Sequence, residues 1–305
     1  MMNYEEFKIA MTAQVTTIAG EEVNVSLHQV PKNNGVILDA ITIMHCEQNA
    51  APTIYLKDFY LRYCQGCTLE ELAEELVEFA VQSNIRGKIP AQFFMDFPQV
   101  KKRICYKLVN YKKNERFLQT VPHKRVLDLA MVYYYSVDPV VMEHATVLIR
   151  HMDIMRWHIT AEEVERAAIE NTPKLLTWKI STMAELMQEI LDWEMEEDET
   201  NPFRISIEEK EPMPMYVLTN KEKYFGAACI FYPDVLKQIS EKLEDNLYIL
   251  PSSIHECIII PASGEYTRKS LSEMVTEING TQVEETEVLS DHVYYYDRWK
   301  EKISM

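Results

Sequence analysis

The chain has 305 residues, 47% hydrophobic and 26% charged, with a formal net charge of -17. This is ordinary globular composition for one large domain or two modest ones. Such an acidic chain repels phosphate backbones and anionic membranes, so it argues against nucleic-acid and membrane partners and suits a basic or neutral protein partner. Glycine is scarce at 7 residues, and neither GxGxxG nor GxxxxGK[ST] occurs, so no nucleotide cofactor is expected.

No run approaches the ~18 consecutive apolar residues needed to span a bilayer. Met1–Gly20 carries Glu5, Glu6 and Lys8 and lacks a basic region followed by an apolar stretch. It therefore reads as an amphipathic helix, with Phe7, Met11, Val15 and Ile18 at helical spacing, and not as a signal peptide. The expected location is the cytoplasm.

Two apolar-rich runs follow, Val23–Val30 and Val36–Met44, separated by Pro31-Lys32-Asn33-Asn34-Gly35. Asn-Gly supplies positive-φ residues, so a β-hairpin is predicted. A helix is predicted over Tyr55–Tyr63, ended by Gly66. Another is predicted over Leu69–Gln82, with Thr68 and Glu71 as a capping box. Val100–Tyr111 reads as a strand, or as a helix turning into one, and Asn114–Thr120 as a short helix. Leu127–Val137 and Ala145–Met155 read as paired strands. Helices are predicted over Ala161–Glu170, capped by Thr160 and stopped by Asn171-Thr172-Pro173, and over Met183–Trp193, capped by Ser181.

Acidic residues and prolines then crowd residues 194–214, the expected linker between an N-terminal region, 1–193, and a C-terminal region, 215–305. Beyond it lie predicted strands Met215–Thr219 and Gly226–Tyr232, helix Pro233–Leu243, strands Leu247–Leu250 and Glu256–Pro261, helix Leu271–Ile278 and the strand-like Val288–Tyr296. The expected fold is α+β: mixed, largely antiparallel sheets with helices on one face, in two subdomains.

Several phrases together resemble a known family. They are Lys32-Asn33-Asn34-Gly35, Pro52-Thr53-Ile54-Tyr55-Leu56, Val121-Pro122-His123 ahead of Leu127-Asp128-Leu129-Ala130, and Trp157 with Asn171-Thr172-Pro173. The C-terminal set is Met215–Asn220, Gly226-Ala227, Leu250–Glu256, and Leu289-Ser290-Asp291 with Val293-Tyr294. The chain resembles, over nearly its whole length, a domain-of-unknown-function family common in gut Firmicutes, numbered five-six-eight-eight. That resemblance implies relatives but no activity and no catalytic residues.

The densest polar phrase is Ser252-Ser253-Ile254-His255-Glu256, between two apolar strands. Ser253 and His255, at i and i+2, share a face on extended backbone, with Cα atoms roughly 6–7 Å apart. The phrase reads as a turn or as a ligand site, with Asn220 and Asp291 gathering at the same sheet end. A serine nucleophile there needs a base, an orienting acid and an oxyanion hole, and no GxSxG elbow is present. His255-Glu256 does not extend to HExxH, because position 259 is Ile259, so no metal site is expected.

Cys64 and Cys67 form a CxxC at a helix end, a poor place for a redox pair. His144, His151 and His158 recur every seventh residue and read as surface or core histidines. Lys101, Lys102, Arg103, Lys107, Lys112 and Lys113 read as a solvated ridge. Tyr133–Tyr135 and Tyr294–Tyr296 read as sheet packing, the outer two of each triplet sharing a face.

The leading expectation is a non-catalytic binding or interaction protein. The alternative is a hydrolase or transferase centred on Ser253, His255 and Glu256.

Overall fold

The computed structural model describes residues 2–45, 51–82, 96–137, 146–189 and 215–305. These form an α+β fold divided into two compact units. One is drawn from Met1–Asp96, the other from Phe97–Ser136 and Thr146–Met305. The expected linker, 194–214, lies outside the described residues, as do His144 and Cys46.

In the first unit, helix α1 (Tyr4–Ala19) starts at Asn3, whose side chain accepts from the Glu6 N–H at 3.0 Å while Glu6 accepts from the Asn3 N–H at 3.0 Å. This reciprocal box satisfies two of the donors every helix start leaves open. Phe7, Met11 and Val15 are fully buried, whereas Ile18, at the last turn, is 37% exposed. Strands β1 (Val23–Pro31) and β2 (Ile37–His45) make the expected hairpin, with Asn34 at φ 61° and Gly35 at φ 76° in its turn. Strand β3 (Thr53–Tyr55) completes a three-stranded antiparallel sheet in the order β1-β2-β3.

Helix α2 (Leu56–Cys64) and helix α3 (Leu69–Gln82) follow. The Thr68–Glu71 box closes as predicted, at 2.9 and 3.3 Å. Leu72 and Leu76 of α3 join Phe7, Met11, Val15, Ile41 and Leu56 in one core.

The second unit holds two sheets. In the first, β6 (Leu129–Ser136) pairs antiparallel with β4 (Ile104–Asn110), β5 (His123–Val126) and β7 (Thr146–Leu148). A helix over Phe97–Lys101 turns into β4, the second of the two readings left open for that segment. The Ala145–Met155 expectation needs correction: strand covers only Thr146–Leu148, and His151–Trp157 is helical. Asp153 accepts from the Arg150 N–H at 2.8 Å and so fixes that helix start, a cue that the apolar run around it obscures.

The helix from Thr160 runs on to Leu175, past the expected stop. Pro173 sits in its last turn, where only one bond, to residue 169, is forfeited. Asn171 and Thr172 serve another purpose. Asn171 Nδ2 donates to the carbonyls of Lys101 and Ile104 at 2.7 and 3.2 Å, and Thr172 Oγ1 accepts from the Tyr106 N–H at 3.1 Å, tying the helix to β4.

The other sheet has six antiparallel strands in the order β13-β12-β10-β11-β9-β8. They are β8 (Trp178–Thr182), β9 (Tyr216–Asn220), β10 (Leu247–Leu250), β11 (Cys257–Pro261), β12 (Tyr294–Asp297) and β13 (Lys302–Ser304). Ser181 lies buried in β8. The cap of the following helical stretch, 183–189, is Thr182, whose Oγ1 accepts from the Glu185 N–H at 3.1 Å. Leu250 and Ile260 on one face pack against Leu271 and Val275 of the helix Arg268–Thr281.

Gly226–Phe231, expected as strand, is a 3-10 helix. Each of Gly226–Ile230 is buried, and a run apolar on all sides carries no period to separate the two forms. All of Tyr133–Tyr135 are buried, as are Tyr294 and Tyr296, so both triplets serve packing.

Candidate functional site

The Ser252–Glu256 turn exists because Pro251 has no N–H to continue the β10 ladder. The chain leaves the sheet there and is bonded along both sides. On one side the Ser290 N–H donates to the Pro251 carbonyl at 2.9 Å, the Leu289 N–H to Ser252 at 2.8 Å, and the Ile254 N–H to Glu287 at 2.9 Å. On the other, the Ala227 N–H donates to the Ile254 carbonyl at 3.3 Å and Thr219 Oγ1 to the His255 carbonyl at 2.8 Å.

The side chains are committed likewise. Ser253 is 5% exposed, and its Oγ accepts from the His255 N–H at 3.0 Å. The His255 ring lies flat against Phe225, 5.9 Å between centroids and 10° between planes. Its Nδ1 accepts from the Phe225 N–H at 3.4 Å, and Nε2, the other ring nitrogen, lies 3.4 Å from Glu287 Oε1. Lys107 Nζ covers the Phe225 ring at 4.1 Å, so this lysine is drawn onto an aromatic face and does not extend a solvated ridge.

Burial pushes the Glu256 carboxyl above the usual carboxylate range. The Glu287 charge adds to this, while His255 and a hydrogen bond from Ser253 oppose it. The penalty falls on the charged form, so the stability from this group is whole below the unfolded carboxyl pKa and is lost as pH rises through the raised folded value. Glu256→Gln stays neutral throughout. Its melting temperature is therefore expected to rise relative to wild type between acid and neutral pH. A difference that is flat or falls across that range would show that the carboxylate is not penalised.

Asn220 is fully buried and folds onto its own loop, donating to the Tyr224 carbonyl at 2.7 Å and accepting from the Tyr224 N–H at 3.3 Å. That loop delivers Phe225 to His255. Asp291 has other partners: Asn279 Nδ2 at 2.8 Å and Lys113 Nζ at 3.9 Å. The structure thus brings the Asn220 loop, Ser253, His255 and Glu256 together with Glu287, while Asp291 bonds to a separate set.

A second polar group lies outside the predicted set. Asp128, in the β5–β6 turn, accepts from Ser290 Oγ at 2.6 Å and from the Tyr294 hydroxyl. Ser290 and Tyr294 are fully buried, and Asn110 Nδ2 donates to the Leu289 carbonyl at 3.0 Å beside them. Asp128, Ser290 and Tyr294 all fall within phrases of the family resemblance, but only the folded chain joins them.

Among the described cysteines, burial pushes the Cys105 thiol up to about 11, Cys229 up to about 12, and Cys257 well above its usual value. These three remain thiols near neutrality and are poor nucleophiles. Cys64 ends α2, and Cys67 follows Gly66, which sits at φ 112°.

No helix among the described residues is long and apolar enough to cross a membrane. Residues 4–298 match the model of a family described as a family of unknown function (DUF5688). No curated protein and no solved structure matches the chain.

Proposed function

We propose that this chain, which belongs to that family of unknown function, is a non-catalytic binding protein that engages another protein in the cytoplasm. One observation carries the reading. Ser253 Oγ is taken by a backbone N–H, the acceptor nitrogen of His255 is taken by another, and the remaining ring nitrogen faces Glu287. A nucleophile and its base must face each other, with the base free to accept a proton. Here the Ser253 hydroxyl is bonded to the His255 N–H and to Glu256, and the His255 ring to the Phe225 N–H, with Glu287 at its other nitrogen.

The alternative, a hydrolase or transferase around Ser253, His255 and Glu256, draws support from the raised carboxyl of Glu256 beside His255 and Glu287, since perturbed groups gather at reactive sites. Steady-state hydrolysis of p-nitrophenyl acetate and p-nitrophenyl phosphate separates the two readings. The binding reading expects the same background rate from wild type and Ser253→Ala. A wild-type rate well above background that Ser253→Ala abolishes would overturn it.

A further inference from the structure

In the first unit a cleft of about 480 Å³ opens between β3, α2 and α3. Its walls are aromatic and acidic: Tyr55, Phe59 and Phe79, with Asp58, Glu75 and Glu78. Among the described residues no lysine or arginine lines it. Phe79 is 51% exposed on α3, an aromatic ring that the core of this unit leaves at the surface.

The carboxylates differ in their commitments. Arg62 holds Glu75 through two bonds, at 2.6 and 2.7 Å. Among the described residues Glu78 accepts from the neutral Gln82 amide, at 2.9 Å, and that bond does not offset its charge. The rim already shows what its rings accept. Lys32 Nζ stands 4.1 Å from the Tyr55 ring centre, and the Arg62 guanidinium 5.9 Å from that of Phe59. Cations settle on aromatic faces because the ring quadrupole is negative there, and adjoining carboxylates add Coulomb attraction.

We infer that this cleft is a docking site for an arginine-bearing basic segment of a partner protein, its guanidinium lying against Phe79 and between Asp58 and Glu78. A planar guanidinium stacks on a ring and bonds carboxylates with the same group, which a point-charge ammonium does less well. The inference rests on the reading of the chain as a binding protein and gives that reading a location and a chemistry.

The probe is a short fluorescein-labelled oligoarginine peptide, titrated against the full chain and followed by anisotropy. The whole molecule is acidic, so the comparison must separate the cleft from bulk charge. Asp58→Asn with Glu78→Gln removes two charges at the cleft. Glu222→Gln with Glu241→Gln removes two exposed charges in the other unit. Phe79→Ser tests the ring and, being exposed, leaves the core intact. The expected result is that the cleft pair and Phe79→Ser each weaken binding about fivefold or more, while the remote pair changes it less than twofold. Equal losses from both charge pairs, or no saturable binding by wild type, would overturn the site. Ester or phosphoester turnover by the wild-type chain would instead count against the binding reading.

Discussion

Gly226→Ala is expected to cost about 3 kcal/mol or more, at the upper end of overpacking effects, and to leave much of the chain insoluble. Gly226 opens the 3-10 helix that runs between β9 and the Ser252–Glu256 turn. A methyl group at its Cα would meet Thr219 Oγ1 and stand 2.5 Å from the His255 carbonyl oxygen and 2.8 Å from the Asn220 nitrogen. Two of those atoms are backbone. The hydroxyl is the one that bonds the His255 carbonyl at 2.8 Å, so none can withdraw without opening the sheet end. Gly280 supplies the control. It lies in the helix Arg268–Thr281, where an added Cβ meets nothing within 4 Å, and Gly280→Ala should be neutral or gain up to about 1 kcal/mol from helix propensity. Chemical denaturation of both variants checks the contrast. A Gly226→Ala protein as stable as wild type would mean that the strand end and the turn are not held as described.

Removing Asp128 is the other change with a large expected effect. Its carboxylate is the shared acceptor for two fully buried hydroxyls, Ser290 and Tyr294. Burial and the adjacent carboxylate both raise the Tyr294 phenol, which therefore stays a donor at any physiological pH. Asp128→Ala strands buried donors, and at roughly 1–3 kcal/mol for an unsatisfied group the loss should come to about 2–4 kcal/mol. Tyr294→Phe, which removes a donor and leaves the carboxylate its bond to Ser290, should cost only about 1 kcal/mol. The double variant should lose less than the sum of the two, since the pair is one interaction. Strict additivity in equilibrium urea melts would show that the Asp128–Tyr294 contact contributes nothing.

Much of the fold was legible because local chemistry is explicit in the sequence. Asn34-Gly35 marked the hairpin, Thr68 with Glu71 and Thr160 marked helix starts, and the tyrosine triplets marked strands. Legibility failed where burial erased the period. Gly226–Ile230 is buried throughout, and its all-apolar run fits a strand as well as a 3-10 helix. It failed again at Pro173, whose cost in a last turn is small enough for the bonds of Asn171 and Thr172 to β4 to outweigh it.

At the candidate site, the turn itself could be read from Pro251 and the two serines, but its partners could not. Phe225, Glu287 and Lys107 come from distant segments, and a single sequence states no pairing between them. The Asp128 group and the acidic cleft were missed for the same reason.

If the Ser252–Glu256 turn is architecture in a binding protein, the thermal unfolding of His255→Ala will show it. The ring accepts the Phe225 N–H and lies against the Phe225 face. Its loss should destabilise the protein by about 1–3 kcal/mol, through an unsatisfied donor and lost contact. A His255→Ala chain that melts with wild type, yet loses a hydrolytic rate or ligand that wild type possesses, would make His255 a working residue and the turn a site.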